Sequence, residues 1–414
     1  MIVLSGAHLV LPDRILTPGT LVIEGGRVSE LRAESRAGAS GSPLHHHYIV
    51  PGFVDVHVHG VEGFDTLDGL ERGSPVAAMA ARLPRYGVTA FCPTTVACAP
   101  DALDRMLGDV RRARRTPAAG AARVLPAHLE SNFINAAFRG AQPLACLRSP
   151  RAALEGLGRV RGLKTGDTSG EGDGFPASDL LAVIDRAGAD VGILTLAPEL
   201  DGGFDLIRWA TSRGLRVSVG HSAATFEQGL EAIAAGARHA THLFNRMPPL
   251  GHRAPGLAGA VLQSEEIAAE LICDGYHVHP ALVRMAIAAK RPSFIMAITD
   301  GTSLSGLPAG ARGSLGGQPI TAGASAALLG DGTLAGSVLT MDRAFRTLVE
   351  KAGLSIVDAA TVCSTTPARE LGLDGHGRLE PGAIADLVVL DETLSVVQTY
   401  IAGQLVYERR IVDC

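Results

Sequence analysis

Pro51-Gly-Phe-Val-Asp-Val-His-Val-His-Gly60 is the stretch whose reading decides the fold. Phe53–Val58 reads as a buried strand, with Asp55, His57 and His59 at alternate positions. Side chains two apart on a strand share one face, so both imidazoles project the same way at the strand's end, just before Gly60 lets the chain turn. Two neutral imidazoles converging there supply half of a divalent-metal site. The plainer alternative is a pair of strand histidines satisfied by backbone carbonyls. What favours the metal reading is the recurrence of His, Glu and Asp at later strand ends.

Outward from this stretch, the pattern repeats as strand, loop, helix. Ser74-Pro75 is an N-cap followed by proline at the first helical position, and Val76–Tyr86 follows as helix. The expected strands after the first are Val88–Val96, Val124–Glu130, Val191–Leu196, Arg216–Val219, Arg238–Leu243, Ile267–Cys273 and Phe294–Thr299. Between them lie helices at Pro100–Arg115, Arg151–Val160, 203–213, Ala223–Ala235 and Ala281–Lys290, with Ser178 expected to cap one more and Val338–Ala352 to cover the end. Eight strands separated by helices or long crossovers are the cadence of an α/β fold closed as a (β/α)8 TIM-like barrel. Residues 1–50 and the last forty instead hold short apolar runs broken by turn residues such as Pro12-Asp13, Gly25-Gly26 and Gly403. The termini are therefore expected to pair into one small antiparallel β domain, residues 1–50 with 375–414, flanking a barrel domain of 51–374. His45-His46-His47 reads as an exposed loop, and Gly166–Gly174 as a mobile surface loop.

The chain has 414 residues, ample for a barrel core, with 46% hydrophobic residues. A net charge of -5 argues against nucleic-acid and membrane-surface partners. Six cysteines without CxxC spacing suggest neither a disulfide framework nor a thiolate metal site. Met1–Val10 lacks a signal peptide's basic and apolar regions, and no apolar run is long enough to span a bilayer, so a soluble, cytoplasmic protein is expected.

Catalytic groups of such barrels lie at the C-terminal ends of the strands. Those ends carry His57 and His59; His128-Leu129-Glu130; His221; His242; Asp274 to His277; and Asp300. A borderline divalent ion held by imidazoles and a carboxylate acidifies bound water and polarises a carbonyl. Asp300, after the last strand, is the natural proton handler, against the plainer role of an orienting or capping carboxylate. Hydrolysis of an amide or another C–N bond is the reaction class this supports.

On these residues the chain resembles the amidohydrolase superfamily, and within it the N-acetylglucosamine-6-phosphate deacetylases. The resemblance runs over nearly the whole length. Besides Pro51–Gly60 it rests on His128–Glu130, Thr195–Glu199 (TLAPE), Gly220–Ser222, Thr241–Pro249 (THLFNRMPP), Arg253–Ala260, Asp274–Val278, Thr299-Asp300, Asp331–Met341 and Gly377–Asp391. It implies a TIM-like barrel with a small β-sandwich built from both termini. It also implies that Glu130, His221 and His242 hold a principal metal, that His57 and His59 permit a second, and that Asp300 is general base and acid. Asn245, Arg253 and His277 match groups that hold the sugar phosphate and hydroxyls, and Leu334 a wall of the acetyl pocket. A guanidinium suits a phosphate dianion because it grips two oxygens at once. The phosphate grip comes partly from a neighbouring subunit in this family, so a homodimer is implied.

Several positions depart from the family pattern. Ser131-Asn132-Phe133 replaces Gly-Pro-Phe, and Arg139–Gln142 replaces Lys-Gly-Ala-His, so Gln142 stands where a substrate-contacting histidine is expected. Gln142 can donate a hydrogen bond but cannot carry charge. Arg246 takes the place of a small residue, Ala254 of an acidic one and Gly301 of alanine. Arg246 reads either as an added anion contact or as a solvated or interface arginine. Lys164 reads as surface rather than as a carbamylated ligand. The expected activity is metal-dependent removal of the N-acetyl group from an amino-sugar phosphate, N-acetylglucosamine 6-phosphate first. The rivals are a paralogue acting on a different N-acyl sugar or amide, and a catalytically silent scaffold. One or two ions are expected, zinc first, with iron, manganese or cobalt open to the same donors.

Overall fold

A computed structural model describes residues 1–33, 44–160 and 174–410. Lys164 and all of the Gly166–Gly174 loop except its last residue lie outside the described residues.

Eight parallel strands pair in chain order: β1 (Phe53–Val58), β2 (Val88–Thr95), β3 (Ala127–Glu130), β4 (Val191–Leu196), β5 (Arg216–Val219), β6 (His239–Ala240), β7 (Ala268–Ile272) and β8 (Ile295–Ile298). They are buried almost throughout, as expected of a parallel sheet covered by helices. The ring closes where β8 runs into β1. There the Asp300 N–H donates to the His57 carbonyl at 2.9 Å and the Thr299 hydroxyl donates to Asp55 at 2.6 Å. The chain is thus an α/β barrel of the expected class. On β1, Val54, Val56 and Val58 take one side of the strand and Asp55 and His57 the other, so the period-two pattern of the sequence divides the apolar side from the polar one.

The terminal strands form a second sheet, in the order Gln404–Glu408, Val396–Ile401, Leu387–Leu390, Tyr48–Pro51, Ile2–Val10, Ile15–Glu24 and Arg27–Arg32. It is not wholly antiparallel. Tyr48–Pro51 pairs antiparallel with Leu387–Leu390 but parallel with Ile2–Val10, and so joins the N-terminal strands to the C-terminal ones. The same segment runs directly into β1, which seats this sheet against the barrel's first strand.

Several expected elements differ in detail. Ser178 lies inside its helix (Ala177–Ala187), whose N-cap is Pro176. The helix expected from Ala223 begins at Phe226, because Thr225 and Gln228 form a capping box there. β6 ends at Ala240 instead of Leu243, since His242 and Phe244 take positive φ of 30° and 77°. Val338 and Leu339 precede the covering helix, Met341–Glu350. A further feature was not anticipated: a four-stranded antiparallel sheet, Arg312–Leu315, Gln318–Ala322, Ala326–Leu329 and Leu334–Ser337. It has its own apolar core around Leu304, Leu315 and Ile320. Its last strand runs beside the end of β8, where the Ser337 N–H donates to the Asp300 carbonyl at 2.8 Å. His45 and His46 are exposed, in keeping with a loop.

Candidate metal centre and active-site cleft

Six of the predicted residues meet at the C-terminal mouth of the barrel. Glu130 ends β3, and its Oε1 lies 2.9 Å from Nε2 of both His221 and His242. Those two nitrogens are 3.1 Å apart. On the other flank, His57 and His59 bring their Nε2 atoms within 3.2 Å of each other. They lie 3.7 and 3.5 Å from the Glu130 carboxylate, and 3.4 and 3.1 Å from Asp300 Oδ1. Every one of these side chains is at least nine-tenths buried except Asp300, which is slightly more open.

Backbone conformation aims three of them. His221, His242 and Asp300 have φ of 48°, 30° and 47°, a left-handed region that side chains other than glycine enter at a cost. Each sits just past a strand end, where the sharp turn swings the side chain back over the barrel axis. The surroundings fix these turns. Glu199, from the Thr195–Glu199 motif, accepts from the Ser222 hydroxyl at 2.7 Å and the Ala223 N–H at 2.6 Å, holding the segment after His221.

The donor set fits a divalent ion. Ligand bonds of ~2.1 Å in tetrahedral array put neighbouring donor atoms ~3.4 Å apart, a little wider than the 2.9–3.1 Å spacings among Glu130, His221 and His242. His221 donates from Nδ1 to the Phe138 carbonyl at 2.8 Å, which leaves Nε2 as a lone pair. His57 likewise directs Nδ1 at Glu270, 2.9 Å away. Burial alone would push His57 down, but the Glu270 hydrogen bond and the charges of Glu270, Glu130 and Asp300 raise it to about 10. That field favours a cation at Nε2, and an ion can take the place of the proton. Burial pushes the carboxyls of Glu130 and Asp300 the other way, up. His221 and His242 outweigh it for Glu130, and His59 and His57 for Asp300, so both stay below their ordinary values and ionised.

Glu270, on β7, went unassigned from sequence. It is fully buried, touches His57, and lies 3.4 Å from the His242 N–H. A lone glutamate in the apolar run Ala268–Ile272 was the available signal. His128 completes a third possible donor group, with His57 and Glu270. Its nitrogens are already engaged, however, Nδ1 with the Val56 carbonyl at 3.0 Å and Nε2 with the Thr195 hydroxyl at 2.8 Å. Burial, helped by the charge of His57, holds His128 down at about 3, so it is a neutral structural imidazole.

A cleft of about 240 Å³ opens above the cluster. It is lined by His59, Glu130, His221, His242 and Asp300, and by Gln142, Asn245, Arg246, His277 and Leu334. Gln142 is committed at both ends of its amide: Oε1 accepts from the Ala97 N–H at 2.6 Å and Nε2 donates to Glu130 Oε2. His277 directs Nδ1 at Asp274, 2.6 Å away, leaving Nε2 as the atom a ligand could meet. Arg253 is exposed and does not line the cleft.

The amidohydrolase family model matches residues 48–406, most of the chain. The chain belongs to the amidohydrolase family. This amidohydrolase is a metal-dependent hydrolase by that membership, and its buried His and Glu groups can hold a divalent ion. It is 37% identical over 421 residues to the N-acetylglucosamine-6-phosphate deacetylase of Homo sapiens, covering 98% of this chain and 94% of the relative. It is 34% identical to the N-acetylgalactosamine-6-phosphate deacetylase of Escherichia coli O157:H7, over 86% of this chain and 87% of the relative. Among solved structures it is similar to an N-acetyl-D-glucosamine-6-phosphate deacetylase mutant of Mycobacterium smegmatis in complex with N-acetyl-D-glucosamine-6-phosphate. The TM-score is 0.83 and the identity 30%, with 98% and 99% of the two chains covered. Among the described residues no helix is long and apolar enough to cross a membrane.

Proposed function

We propose that this amidohydrolase removes the acetyl group from an N-acetylated amino-sugar phosphate, N-acetylglucosamine 6-phosphate first. The observation that carries the reading is the convergence of Glu130, His221 and His242 on one point beside an ionised Asp300 in an open cleft. The 37% identical human deacetylase and the sugar-bound mycobacterial structure support the substrate class.

In this reading Glu130, His221 and His242 hold the principal ion, zinc first, and His57 and His59 allow a second. The bound ion supplies a more acidic water and a polarised acetyl carbonyl. Asp300 Oδ1 takes a proton from the attacking water as the new C–O bond forms. It then delivers that proton to the amide nitrogen as the C–N bond breaks, releasing acetate and the free amine. Gln142 holds Glu130 in place, Leu334 walls the acyl group, and Asn245, Arg246 and His277 receive the sugar and its phosphate. Arg253 contributes by reaching a partner's cleft in a homodimer, and the enzyme works in the cytoplasm. The barrel spans 51–374, and residues 1–50 with 375–414 form the other domain. That division is supported by a separate apolar core drawn from Leu4 to Ile49 and from Leu379 to Tyr400.

The test is a panel of N-acetylated sugars, with and without a 6-phosphate, assayed for free acetate with metal-loaded enzyme. Acetate release fastest from N-acetylglucosamine 6-phosphate supports the reading. The N-acetylgalactosamine-6-phosphate deacetylase among its relatives makes the other epimer the informative competitor. Release from none of the sugars overturns it.

A further inference from the structure

Among the described residues, Arg246 is the one arginine or lysine that lines the cleft. Three features aim it there. Its backbone is in the left-handed region, with φ of 53°, at the end of the turn that also carries His242. That turn is pinned on both sides: the Asn245 N–H donates to the His242 carbonyl at 2.9 Å, and the Arg246 carbonyl accepts from Ser222 N–H at 3.1 Å. The side chain then crosses Gly140. A methyl group there would come within 2.6 Å of Arg246 Nε, so the guanidinium occupies space that a glycine leaves open.

The guanidinium has little to hold it within the protein. Among the described residues its one hydrogen bond is a long one, from Nη2 to the Leu334 carbonyl, 3.4 Å. Among the described residues no carboxylate lies within ion-pair distance of it. A half-buried arginine without a counter-ion, facing a cleft, is electrostatically incomplete, and an anion on the ligand completes it. Arg253, the other candidate for this work, is exposed and away from its own chain's cleft.

We infer that Arg246 grips the phosphate of the substrate from within the same subunit and sets the preference for phosphorylated over unphosphorylated sugars. The inference rests on the amino-sugar phosphate reading above and adds the residue that enforces it. Two oxygens of a phosphate match the paired N–H groups of a guanidinium, a fit that lysine can only approximate as a point charge.

The experiment compares wild type, Arg246→Ala and Arg246→Lys as metal-loaded enzymes. For each, kcat/KM is measured on N-acetylglucosamine 6-phosphate and on N-acetylglucosamine. Charge-assisted hydrogen bonds of this kind correspond to roughly 10- to 100-fold in affinity, and the ratio of the two kcat/KM values should fall by about that factor in Arg246→Ala. Arg246→Lys should restore part of it. A merely structural arginine would lower both activities together and leave the ratio unmoved, which overturns the inference. Calorimetric titration with glucose 6-phosphate and glucose, neither of which has an amide to cleave, gives the same comparison without catalysis. If wild type releases no acetate yet prefers glucose 6-phosphate and Arg246→Ala does not, the deacetylase reading fails and the grip stands. If wild type binds both sugars alike, the grip itself fails.

Discussion

Asp300 shows how much one side chain depends on its neighbours. It is buried, yet His59 at 3.1 Å and His57 at 3.4 Å keep it ionised, which is the state a proton acceptor needs. Asp300→Asn keeps the shape and removes the basicity. Its kcat should fall about 10²–10⁴-fold, with metal content unchanged by elemental analysis; metal lost in step with activity would make Asp300 a ligand instead. Glu270 acts one shell further out, through the 2.9 Å contact that leaves His57 Nε2 free. Orienting carboxylates of this kind typically alter metal affinity 10- to 100-fold. Glu270→Gln should therefore weaken metal retention by about that factor, read by competition with a chelator of known affinity. Retention equal to wild type would reduce Glu270 to a buried charge with no part in the site.

Between elements, the barrel's polar ties show which pieces are fastened to which. The helix Thr366–Glu370 packs against β8 and β1 and brings Glu370 within 3.5 Å of His239 on β6, while Arg369 contacts the same carboxylate at 2.5 Å. Burial pushes Glu370 up, but these two partners outweigh it and hold it at about 2, against an ordinary 4.5. The unfolded chain therefore takes up the proton first. The stabilisation is complete above the ordinary value and is lost as pH falls from there towards 2. After discounting for partial exposure it amounts to at most ~2 kcal/mol. Denaturant midpoints measured across that window should fall more steeply for wild type than for Glu370→Gln. Parallel slopes would mean that the tie contributes nothing. Gly60 illustrates a steric counterpart. A Cβ there would meet the Phe64 carbonyl oxygen at 2.3 Å and the Ser303 nitrogen at 2.5 Å, so the turn after His59 closes only around glycine.

At the scale of the whole molecule, the mouth of the barrel gathers Glu130, Asp300 and four imidazoles in one buried cluster, and a bound ion is the partner that satisfies them together. A ligand that binds only the native state stabilises it by mass action, ~2.7 kcal/mol at a hundred times its dissociation constant. For a chain of this length that corresponds to about 3 °C in Tm. Chelation should lower Tm by at least that much, and re-addition of metal should restore it. Glu130→Gln should respond to the chelator far less. A wild-type Tm indifferent to chelation would argue against any resident ion.

The barrel was legible in the sequence because its signals are local: period-two apolar strands, capped helices, and a His, Glu or Asp where each strand stops. Six histidines and acids at strand ends, His57, His59, Glu130, His221, His242 and Asp300, could be picked out from the sequence, since a parallel barrel brings all its C-terminal strand ends to one mouth whatever the loops do. Other features depend on contacts between distant segments. The positive φ of His221, His242 and Asp300 is imposed by packing, as with Glu199 against Ser222, and no local residue preference announces it. The parallel pairing of Tyr48–Pro51 with Ile2–Val10 and the sheet that ends at Leu334–Ser337 are choices of strand partner, which alternation alone does not encode. Gln142 bonded to Glu130, Glu270 behind His57, and Arg246 rather than Arg253 in the cleft were likewise decided by tertiary structure, because composition can say which groups a chain owns but only folding says which of them meet.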